Sequence, residues 1–288
     1  MLTASGDYRV LRRFSPRARY GDPPPGATTR WGLYVDVETT GLDTATAEII
    51  EFAAVPFEYD VHTGRVFAVG NPYAGFEEPH AEIPADVVAL TGITPEMVRG
   101  HRLDDAAIEA LSDLAGVVIA HNAAFDRKIV ERRLPCFAGK AWACSHAEVP
   151  WHEHGCRGSK LDYILFQRCA EYFGGHRATD DCRVGIHVLA TLLPDGTPPL
   201  RLLLESARRP TIRIWATGSP IAVKDQLKAR RYRFRPRDAD RDAVWYLDCR
   251  PDDVEAELAW LDQIAYGRRG SGWELTELTA VDRYSSRC

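Results

Sequence analysis

The sequence predicts an α/β fold, in which a mixed sheet is flanked by helices, joined to a small α+β domain. Dense apolar runs with strand character come first, and after about residue 100 a further strand alternates with helical segments, an order typical of one sheet covered by helices. After Arg208-Arg209-Pro210 the alternation of strands and helices starts again. We therefore expect an N-terminal extension over residues 1–29, a first domain over 30–205 and a second domain over 210–288.

The elements of the first domain follow from turn signals and apolar periodicity. Asp22-Pro-Pro-Pro-Gly26 excludes regular structure and ends the extension. Strands are expected over 31–37, over 47–59 and 65–71 around a turn at 61–64, and over 116–120. Helices are expected over 84–90, from Thr94-Pro95 onward, over 104–114, from a cap at Asn122 to 133, over 161–173 and over 180–193.

The second domain has its own pattern. Alternating apolar residues predict strands over 211–216, 232–235, 243–248 and 273–282, and helical periodicity predicts helices over 221–230 and 252–266. Charge also changes at this boundary. Residues 208–288 carry 16 Lys and Arg against 13 Asp and Glu, whereas residues 1–207 carry 20 against 28. An acidic first part suited to cations and a basic second part suited to phosphates suggest a division of labour.

Composition excludes several classes of protein. Apolar residues at 45% and charged residues at 27% are ordinary for a globular chain, and no apolar run is long enough for a membrane span. The N-terminus lacks the apolar core of a secretory signal. Seven scattered cysteines give no paired framework, so a reducing, cytoplasmic compartment is expected.

Three segments carry carboxylates suited to chemistry. Asp36 and Glu38 project from one face of an apolar strand, where they would repel each other unless a cation lies between them, or unless the strand is an exposed edge. Asp126 lies in the first turn of the helix after a buried strand, at the sheet edge where α/β folds bind ligands. His176 precedes a helix whose first turn contains Asp181, and a His beside a carboxylate-bound metal can accept a proton from water.

Type, order and spacing of these residues together resemble the DnaQ-like 3'-5' exonuclease superfamily, in its His-containing DEDDh branch. Asp36-Val-Glu38-Thr-Thr-Gly41 is similar to the first motif of that family, His121-Asn-Ala-Ala-Phe-Asp126 to the second, and His176 with Asp181 to the third. Leu90-Thr-Gly-Ile93 is similar to a short segment between the first two. The resemblance covers about residues 30–195 and implies an RNase H-like fold.

The resemblance implies a two-metal phosphodiesterase that releases nucleoside 5'-monophosphates. Two Mg²⁺ or Mn²⁺ ions would lie about 4 Å apart, one helping to generate hydroxide and the other stabilising the departing 3' oxygen. Their ligands would be the four carboxylates Asp36, Glu38, Asp126 and Asp181. His176 would be the general base, and Glu38 would also help to position the nucleophile.

Substrate contacts are also implied. The terminal nucleotide would lie against Thr39, Thr40, Gly41 and Leu42, with its base or sugar against Leu90, Asn122 and Phe125. By residue type, Asn122 equally suits a helix cap and Phe125 equally suits the core. In the second domain, Arg231, Arg233 and Arg235 next to aromatic residues suit single-stranded or frayed nucleic acid, and a solvated basic strand or a dimer surface would give the same pattern.

Two other hypotheses remain open. Cys144, His146, His152, His154 and Cys156 have the types but not the spacing of a structural zinc site. The chain could also be a polymerase-associated proofreading subunit or a non-catalytic nucleic-acid-binding protein, although no catalytic position is substituted. The appended domain favours DNA repair or RNA processing. The choice between DNA and RNA and the oligomeric state, a homodimer included, are not determined by the sequence.

Overall fold

The chain divides into two compact units in the computed structural model, which describes residues 6–237, 241–267 and 272–288. The first unit comprises Met1–Ala207 together with Ala280–Cys288, and the second is Arg208–Thr279. The division therefore differs from the expected second domain at 210–288, because the last segment of the chain returns to the first unit.

The first unit is built on a six-stranded mixed sheet. The strands of this unit are β1 (Arg12–Arg13), β2 (Thr29–Thr39), β3 (Ile49–Asp60), β4 (Val66–Val69), β5 (Tyr73–Phe76), β6 (Ala115–Ala120), β7 (Trp142–Cys144) and β8 (Glu171–Tyr172). The main sheet has the order β4-β3-β2-β6-β7, with β5 also paired to β3, and β1 and β8 form a separate pair. β2 lies between antiparallel β3 and parallel β6, so both of its edges are occupied.

Helices cover both faces of this sheet. They are α1 (Ala85–Thr91), α2 (Pro95–Val98), α3 (Asp105–Leu114), α4 (Ala123–Arg133), α5 (Leu161–Cys169), α6 (Ala178–Ala190) and α7 (Pro199–Arg208). Successive residues of β2 enter different cores, as expected for a strand buried on both faces. Tyr34 packs in the core that contains residues of α5, α6 and α7, whereas Leu33 and Val35 pack in the core that contains residues of α3 and α4. This mixed sheet flanked by helices confirms the predicted fold class.

The structure corrects the sequence-based assignment at several elements. The expected helix 161–173 ends at Cys169, because Ala170 has a left-handed φ of 52°, and Glu171–Tyr172 then pair in parallel with Arg12–Arg13. Helix α7 was not predicted, although Leu200, Leu203 and Leu204 are buried at helical spacing. β5 and β7 were also missed, since strands of four and three residues are too short to show a period.

The tail, residues 280–288, is held by the first unit through a buried arginine. Arg127, fully buried on α4, donates to the carbonyl oxygens of Ala280 (3.1 Å), Val281 (2.6 Å) and Arg283 (2.6 Å), and its Nε donates to Glu131. The guanidinium of Arg283 in turn donates to the carbonyls of residues 206 and 207. Because buried donors are costly to leave without acceptors, these bonds make the tail part of the first unit.

The second unit is a four-stranded antiparallel sheet with helices on one face. Its elements are β9 (Thr211–Ala216), α8 (Lys224–Ala229), β10 (Arg233–Arg235), β11 (Val244–Cys249), α9 (Val254–Leu261) and β12 (Glu274–Leu278). The sheet order is β10-β11-β9-β12, so the unit follows a βαββαβ path with β11 between β9 and β10. Ile214 and Leu247 on the helix-covered face pack with Leu227 and Leu261. Among the helices of the described residues, none combines the length and the apolar run that a membrane span needs.

Candidate active site

Two carboxylates project from the C-terminal end of the central strand β2. Asp36 and Glu38 alternate with Tyr34 along the strand, so all three side chains are on the sheet face that packs with α6. Both carboxylates are half-buried. The alternative of an exposed edge strand is wrong, because β2 is hydrogen-bonded on both sides.

A close helix–strand contact brings Asp181 to the same place. Gly185 on α6 lies against the ring of Tyr34, and a Cβ atom at Gly185 would be 2.1 Å from that ring. Asp181 is one helical turn before Gly185, and Asp36 is two strand residues after Tyr34. The absence of a side chain at Gly185 therefore allows Asp181 to approach Asp36 and Glu38.

The three carboxylates form one group. Oxygen atoms of Asp36, Glu38 and Asp181 all lie within 4.8 Å of one another. Asp126, buried in the first turn of α4, lies outside this group, yet after burial its charge is the largest influence on Asp36. The sequence thus predicted four carboxylates at one site, and the structure gathers three within a single cation's reach with the fourth beside them.

Burial and mutual repulsion perturb every member of this cluster. Burial, aided by the charges of Asp126 and Asp181, raises the pKa of Asp36 well above its ordinary value. Burial and then the charge of Asp181 raise the pKa of Glu38 to about 8. Burial raises the pKa of both Asp126 and Asp181 to about 7. Such a set of acids, confined at one strand end, is typical of a functional site.

Glu51 and Arg177 complete the site and were not predicted. Glu51 is buried on β3 directly opposite Glu38, and Arg177 pairs with it through Nη2 at 2.9 Å. The sequence did contain a signal, since Glu51 is the only charged residue within Ile49–Phe57, a stretch that is buried throughout. An isolated charge in a buried strand usually has a specific partner.

His176 is at the entrance to α6, outside the group of three carboxylates. Its side chain is exposed, and its backbone has a left-handed φ of 58°, directly after Gly175 with a φ of 50°. Burial raises the pKa of Asp181, and hydrogen bonds from the backbone N–H groups of Arg177 and His176 to its carboxylate partly offset that rise. The main chain at His176 is therefore attached to the carboxylate cluster.

The residues expected to contact substrate surround the end of β2. Thr39 donates to the carbonyl of Gly41 (2.7 Å), and Thr40 accepts from the backbone of Glu48 (2.9 Å), so both hydroxyl groups stabilise the turn. Gly41 has no left-handed φ, and the space where its Cβ would lie is open. Leu42 is 88% exposed, an unusual environment for a leucine.

Three further predicted contacts lie on helices or their ends. Leu90 on α1 is 58% exposed, and Phe125 on α4 is half-buried against the core. Asn122 occupies the cap position of α4 with a left-handed φ of 88°, but its side chain makes no capping hydrogen bond. Asn122 is therefore at the expected cap position but does not cap the helix through its side chain.

The Cys and His residues of 144–156 do not assemble a metal site. His146 hydrogen-bonds to Ser159 (2.8 Å), and Cys144 and Cys156 are buried separately in the two cores. Within the described ranges 6–237, 241–267 and 272–288, the one group of at least three candidate ligands at metal distance is Asp36, Glu38 and Asp181.

The predicted basic residues of the second unit lie on and next to β10. Arg233 and Arg235 alternate on β10, where Arg233 binds Asp248 (2.6 Å) and is stacked 4.9 Å from the ring of Tyr246. Arg235 is 5.7 Å from the ring of Trp215. Arg231 precedes the strand, is exposed and has a left-handed φ of 68°.

The carboxylate group suits a hard divalent cation. Its donors are all carboxylate oxygens, the ligands that Mg²⁺, Mn²⁺ and Ca²⁺ prefer. The guanidinium of Arg177, already paired with Glu51, is in a region that contains five carboxylates, those of Asp36, Glu38, Glu51, Asp126 and Asp181. A divalent cation would relieve the repulsion that raises these pKa values, so the residues present fit a metal ion.

Comparison with known proteins agrees with this geometry. The RNase T exonuclease family model matches residues 33–189, more than half of the chain. PolC-type DNA polymerase III of Thermotoga maritima is 30% identical over 184 residues, which are 62% of this chain and 12% of that protein. The corresponding protein of Clostridium perfringens is 33% identical over 159 residues, 54% of this chain and 10% of that protein.

The chain therefore spans about a tenth of the length of these relatives. Among solved structures, E. coli exonuclease I in complex with a dA16 oligonucleotide has a TM-score of 0.50 and 17% identity, covering 79% of this chain and 68% of that one, a likeness of fold. The family match includes the strand that carries Asp36 and Glu38 and the helix that carries Asp181. This chain belongs to the exonuclease family.

Proposed function

We propose that this protein is a metal-dependent 3'-5' exonuclease that hydrolyses phosphodiester bonds at the 3' ends of DNA or RNA and releases nucleoside 5'-monophosphates. The observation that carries the proposal is the carboxylate group Asp36, Glu38 and Asp181, with Asp126 beside it. Acidic clusters of this kind attract divalent cations, and the family match indicates that the bond cleaved is in a nucleic acid.

Each site residue has a role in this proposal. Asp36, Glu38, Asp126 and Asp181 would hold two Mg²⁺ or Mn²⁺ ions, which supply Lewis-acid stabilisation of the attacking and leaving oxygens. His176, exposed beside the cluster, would accept the proton of the attacking water. Glu38 projects from the same face of β2 as Asp36 and would orient that water.

The substrate end would lie over the exposed apolar residues near β2. Leu42 and Leu90 offer large exposed side chains to a terminal base or sugar, and the exposed amide of Asn122 offers hydrogen bonds. Phe125, although part of the core, is half-exposed and is the fourth member of this set. Thr39, Thr40 and Gly41 shape the turn on which the nucleotide would rest.

The second unit would hold single-stranded or frayed nucleic acid. The face of its sheet opposite the helices carries Arg213 and Trp215 on β9, Tyr246 on β11, and Arg233 and Arg235 on β10. Arg233, exposed and stacked on Tyr246, and the half-buried Arg235 would offer phosphate contacts. Arg213 and Trp215 are buried within this face and would support these residues. Arg231 would add a further phosphate contact at the start of β10.

A polymerase-associated proofreading role is the second candidate function. It is favoured by the similarity to PolC-type polymerases, which are 30% and 33% identical to this chain over 184 and 159 residues. A proofreading exonuclease would remove a mismatched 3' nucleotide faster than a paired one and would bind a polymerase subunit. An enzyme that degrades free single strands equally well without a polymerase would act in repair or RNA processing. Seven free cysteines are consistent with the reducing, cytoplasmic compartment that we propose.

The proposed function is tested with DNA and RNA oligonucleotides labelled at either end, incubated with Mg²⁺. The wild type should shorten 5'-labelled strands progressively and release mononucleotides from 3'-labelled ones, and Asp36→Ala should do neither. If the wild type degrades no substrate, or if Asp36→Ala is as active as the wild type, the proposal is wrong.

A further inference from the structure

His176 lies in a segment of unusual backbone conformation. Its exposed ring extends from a segment in which two successive residues, Gly175 and His176, have left-handed φ values of 50° and 58°. Left-handed backbone is unfavourable for a residue with a side chain and persists where neighbouring contacts hold it. A general base must stay within hydrogen-bond reach of its water, so contacts near His176 decide whether it acts.

We propose that Glu51 and Arg177 form a latch that positions His176 for proton transfer; this inference rests on the proposed exonuclease function. The latch is defined as the ion pair between these two side chains. Arg177 follows His176 directly, so fixing Arg177 fixes one end of the peptide unit that carries the general base.

The latch attaches the His176 segment to the sheet. The Arg177 Nε lies 3.2 Å from both carboxylate oxygens of Glu51, and Nη2 donates to Oε1 at 2.9 Å. Glu51 Oε2 also accepts from the backbone N–H of Ala178, the first residue of α6, at 3.2 Å. One buried carboxylate on β3 therefore holds both the side chain after His176 and the start of the helix.

A second attachment runs to the helix. The backbone N–H of Arg177 donates to Asp181 Oδ2 at 3.2 Å. The guanidinium also lies 5.6 Å from the ring of Phe76 on β5, which limits its lateral movement. The residue next to His176 is thus held by a strand residue and by one of the clustered carboxylates.

The placement of Glu51 is unfavourable for any role confined to stability. It is 3% exposed, directly opposite Glu38, and its negative charge repels the carboxylates of the cluster. A neutral side chain at this position would pair with the strand without that repulsion. A buried acid beside four others is explained if its bonds to Arg177 and Ala178 hold the His176 segment.

Kinetics of the full-length protein on a 5'-labelled single-stranded oligodeoxynucleotide with Mg²⁺ test the latch. Arg177→Ala should lower kcat roughly ten- to hundredfold, because small displacements of a general base are costly. KM should change by no more than about twofold, since the substrate is not contacted. Arg177→Lys, which keeps a charge near Glu51, should recover part of kcat. Arg183→Ala, on the same helix, is the matched control and should leave kcat unchanged.

A double-mutant cycle with His176→Ala separates positioning from other roles. If Arg177 acts through His176, Arg177→Ala should have almost no further effect on kcat in the His176→Ala background. Losses that add in full would overturn the latch, as would a raised KM with normal kcat, which would make Arg177 a substrate contact. Mn²⁺ affinity, measured by calorimetry, should be the same in Arg177→Ala and wild type. A large loss would assign Glu51 and Arg177 to the metal site instead.

A readout that does not need activity distinguishes failure of the latch from failure of the proposed function. The imidazole NMR signals of His176 should change in Arg177→Ala and in Glu51→Gln and stay unchanged in Arg183→Ala. Unchanged signals in both latch variants, each folded by thermal unfolding, would refute the latch even in an inactive enzyme. An inactive wild type with the expected NMR response would refute the exonuclease proposal and leave the latch as a structural fact.

Discussion

The two units differ in how far their charged side chains are neutralised by other side chains. In the first unit, five carboxylates share one region with the guanidinium of Arg177, and burial with mutual repulsion raises the pKa values of the clustered acids. In the second unit, Arg213 and Arg233 share the carboxylate of Asp248, and Arg241 binds Glu274. The first arrangement is unbalanced without an added cation, whereas the second is partly balanced within the protein.

This difference bears on the two functional assignments, metal binding in the first unit and nucleic-acid binding in the second. A charge cluster that the protein does not neutralise must take up protons or bind a cation, so the acidic site carries a strong functional implication. Arginines that already have carboxylate partners and aromatic rings beneath them also contribute to the stability of their sheet. The nucleic-acid role of the second unit is accordingly expected to be the smaller effect, and the following predictions test that ranking.

The largest effect is expected from removing one member of the acidic cluster. Asp181→Asn should lower kcat/KM by at least about 10³-fold, because a negatively charged metal ligand is replaced by a neutral amide. Asp180→Asn is the matched control, since Asp180 is the exposed neighbour on the same helix. Steady-state kinetics on a labelled oligonucleotide measure both. Equal losses in the two variants would mean that the cluster is not the catalytic centre.

A smaller effect, on stability, is expected at the buried arginine that holds the tail. Arg127→Met removes four hydrogen bonds of the buried guanidinium, three to carbonyl oxygens of the tail and one to Glu131, which keeps Arg287 as a partner, so the free energy of unfolding should fall by about 3 kcal/mol. Urea denaturation measures the change, with the half-exposed Lys128→Met as control. If Arg127→Met destabilises the protein no more than Lys128→Met does, Arg127 does not hold the tail, and the assignment of residues 280–288 to the first unit is wrong.

The unbalanced cluster also predicts a pH effect. The folded protein raises the pKa of Glu38 to about 8 and those of Asp126 and Asp181 to about 7, above their unfolded values near 4. Because the folded state holds these protons more tightly, the contribution of these groups to stability is fully present at and below about pH 4 and is lost as the pH rises through 8. The metal-free protein should lose at least about 2 kcal/mol of unfolding free energy over this range.

Divalent cations and one substitution sharpen this test. Millimolar Mg²⁺ or Mn²⁺ should flatten the pH dependence, because the ions replace the protons as counter-charge, and Asp36→Asn should make it shallower without metal. Thermal unfolding followed between pH 5 and 8.5 gives the slopes. If metal stabilises wild type and Asp36→Asn equally, the ions bind elsewhere.

The smallest effect is expected in the second unit. Arg233→Glu should weaken binding of single-stranded DNA several-fold, because one phosphate contact is lost and the new carboxylate repels the phosphates. The slope of log affinity against log salt concentration should fall in magnitude by about one. Arg250→Glu, an exposed arginine outside the strands, is the matched control for net charge. Fluorescence anisotropy at several salt concentrations measures both. Equal effects would mean that only net charge matters, and no effect from either would remove the nucleic-acid role of this sheet.

Much of the fold and of the site could be predicted because the signals are local. Asp36 and Glu38 alternate on an apolar strand, and Asp126 and Asp181 lie in first helical turns. The helix expected over 84–90 is α1, which ends at Thr91 before Gly92 with a left-handed φ of 70°. Each of these features depends on a few neighbouring residues, so spacing alone reveals it.

What could not be predicted depends on contacts distant in sequence. Glu51 and Arg177 are 126 positions apart, and neither has a local motif that names the other. The return of the tail to Arg127 crosses 153 positions or more. Asn122 lies at the cap position of α4, but its left-handed backbone and the absence of a capping hydrogen bond from its side chain could not be predicted from its residue type.

The returning tail has a consequence for synthesis. Arg208–Thr279 must be synthesised before residues 280–288 are made, which at usual elongation rates takes roughly 4 to 14 s. Until then Arg127 lacks the carbonyl acceptors of the tail, and a nascent first unit is left with a buried cation whose hydrogen bonds are incomplete. The contacts that hold the tail in the first unit can therefore form only after the inserted unit has been translated.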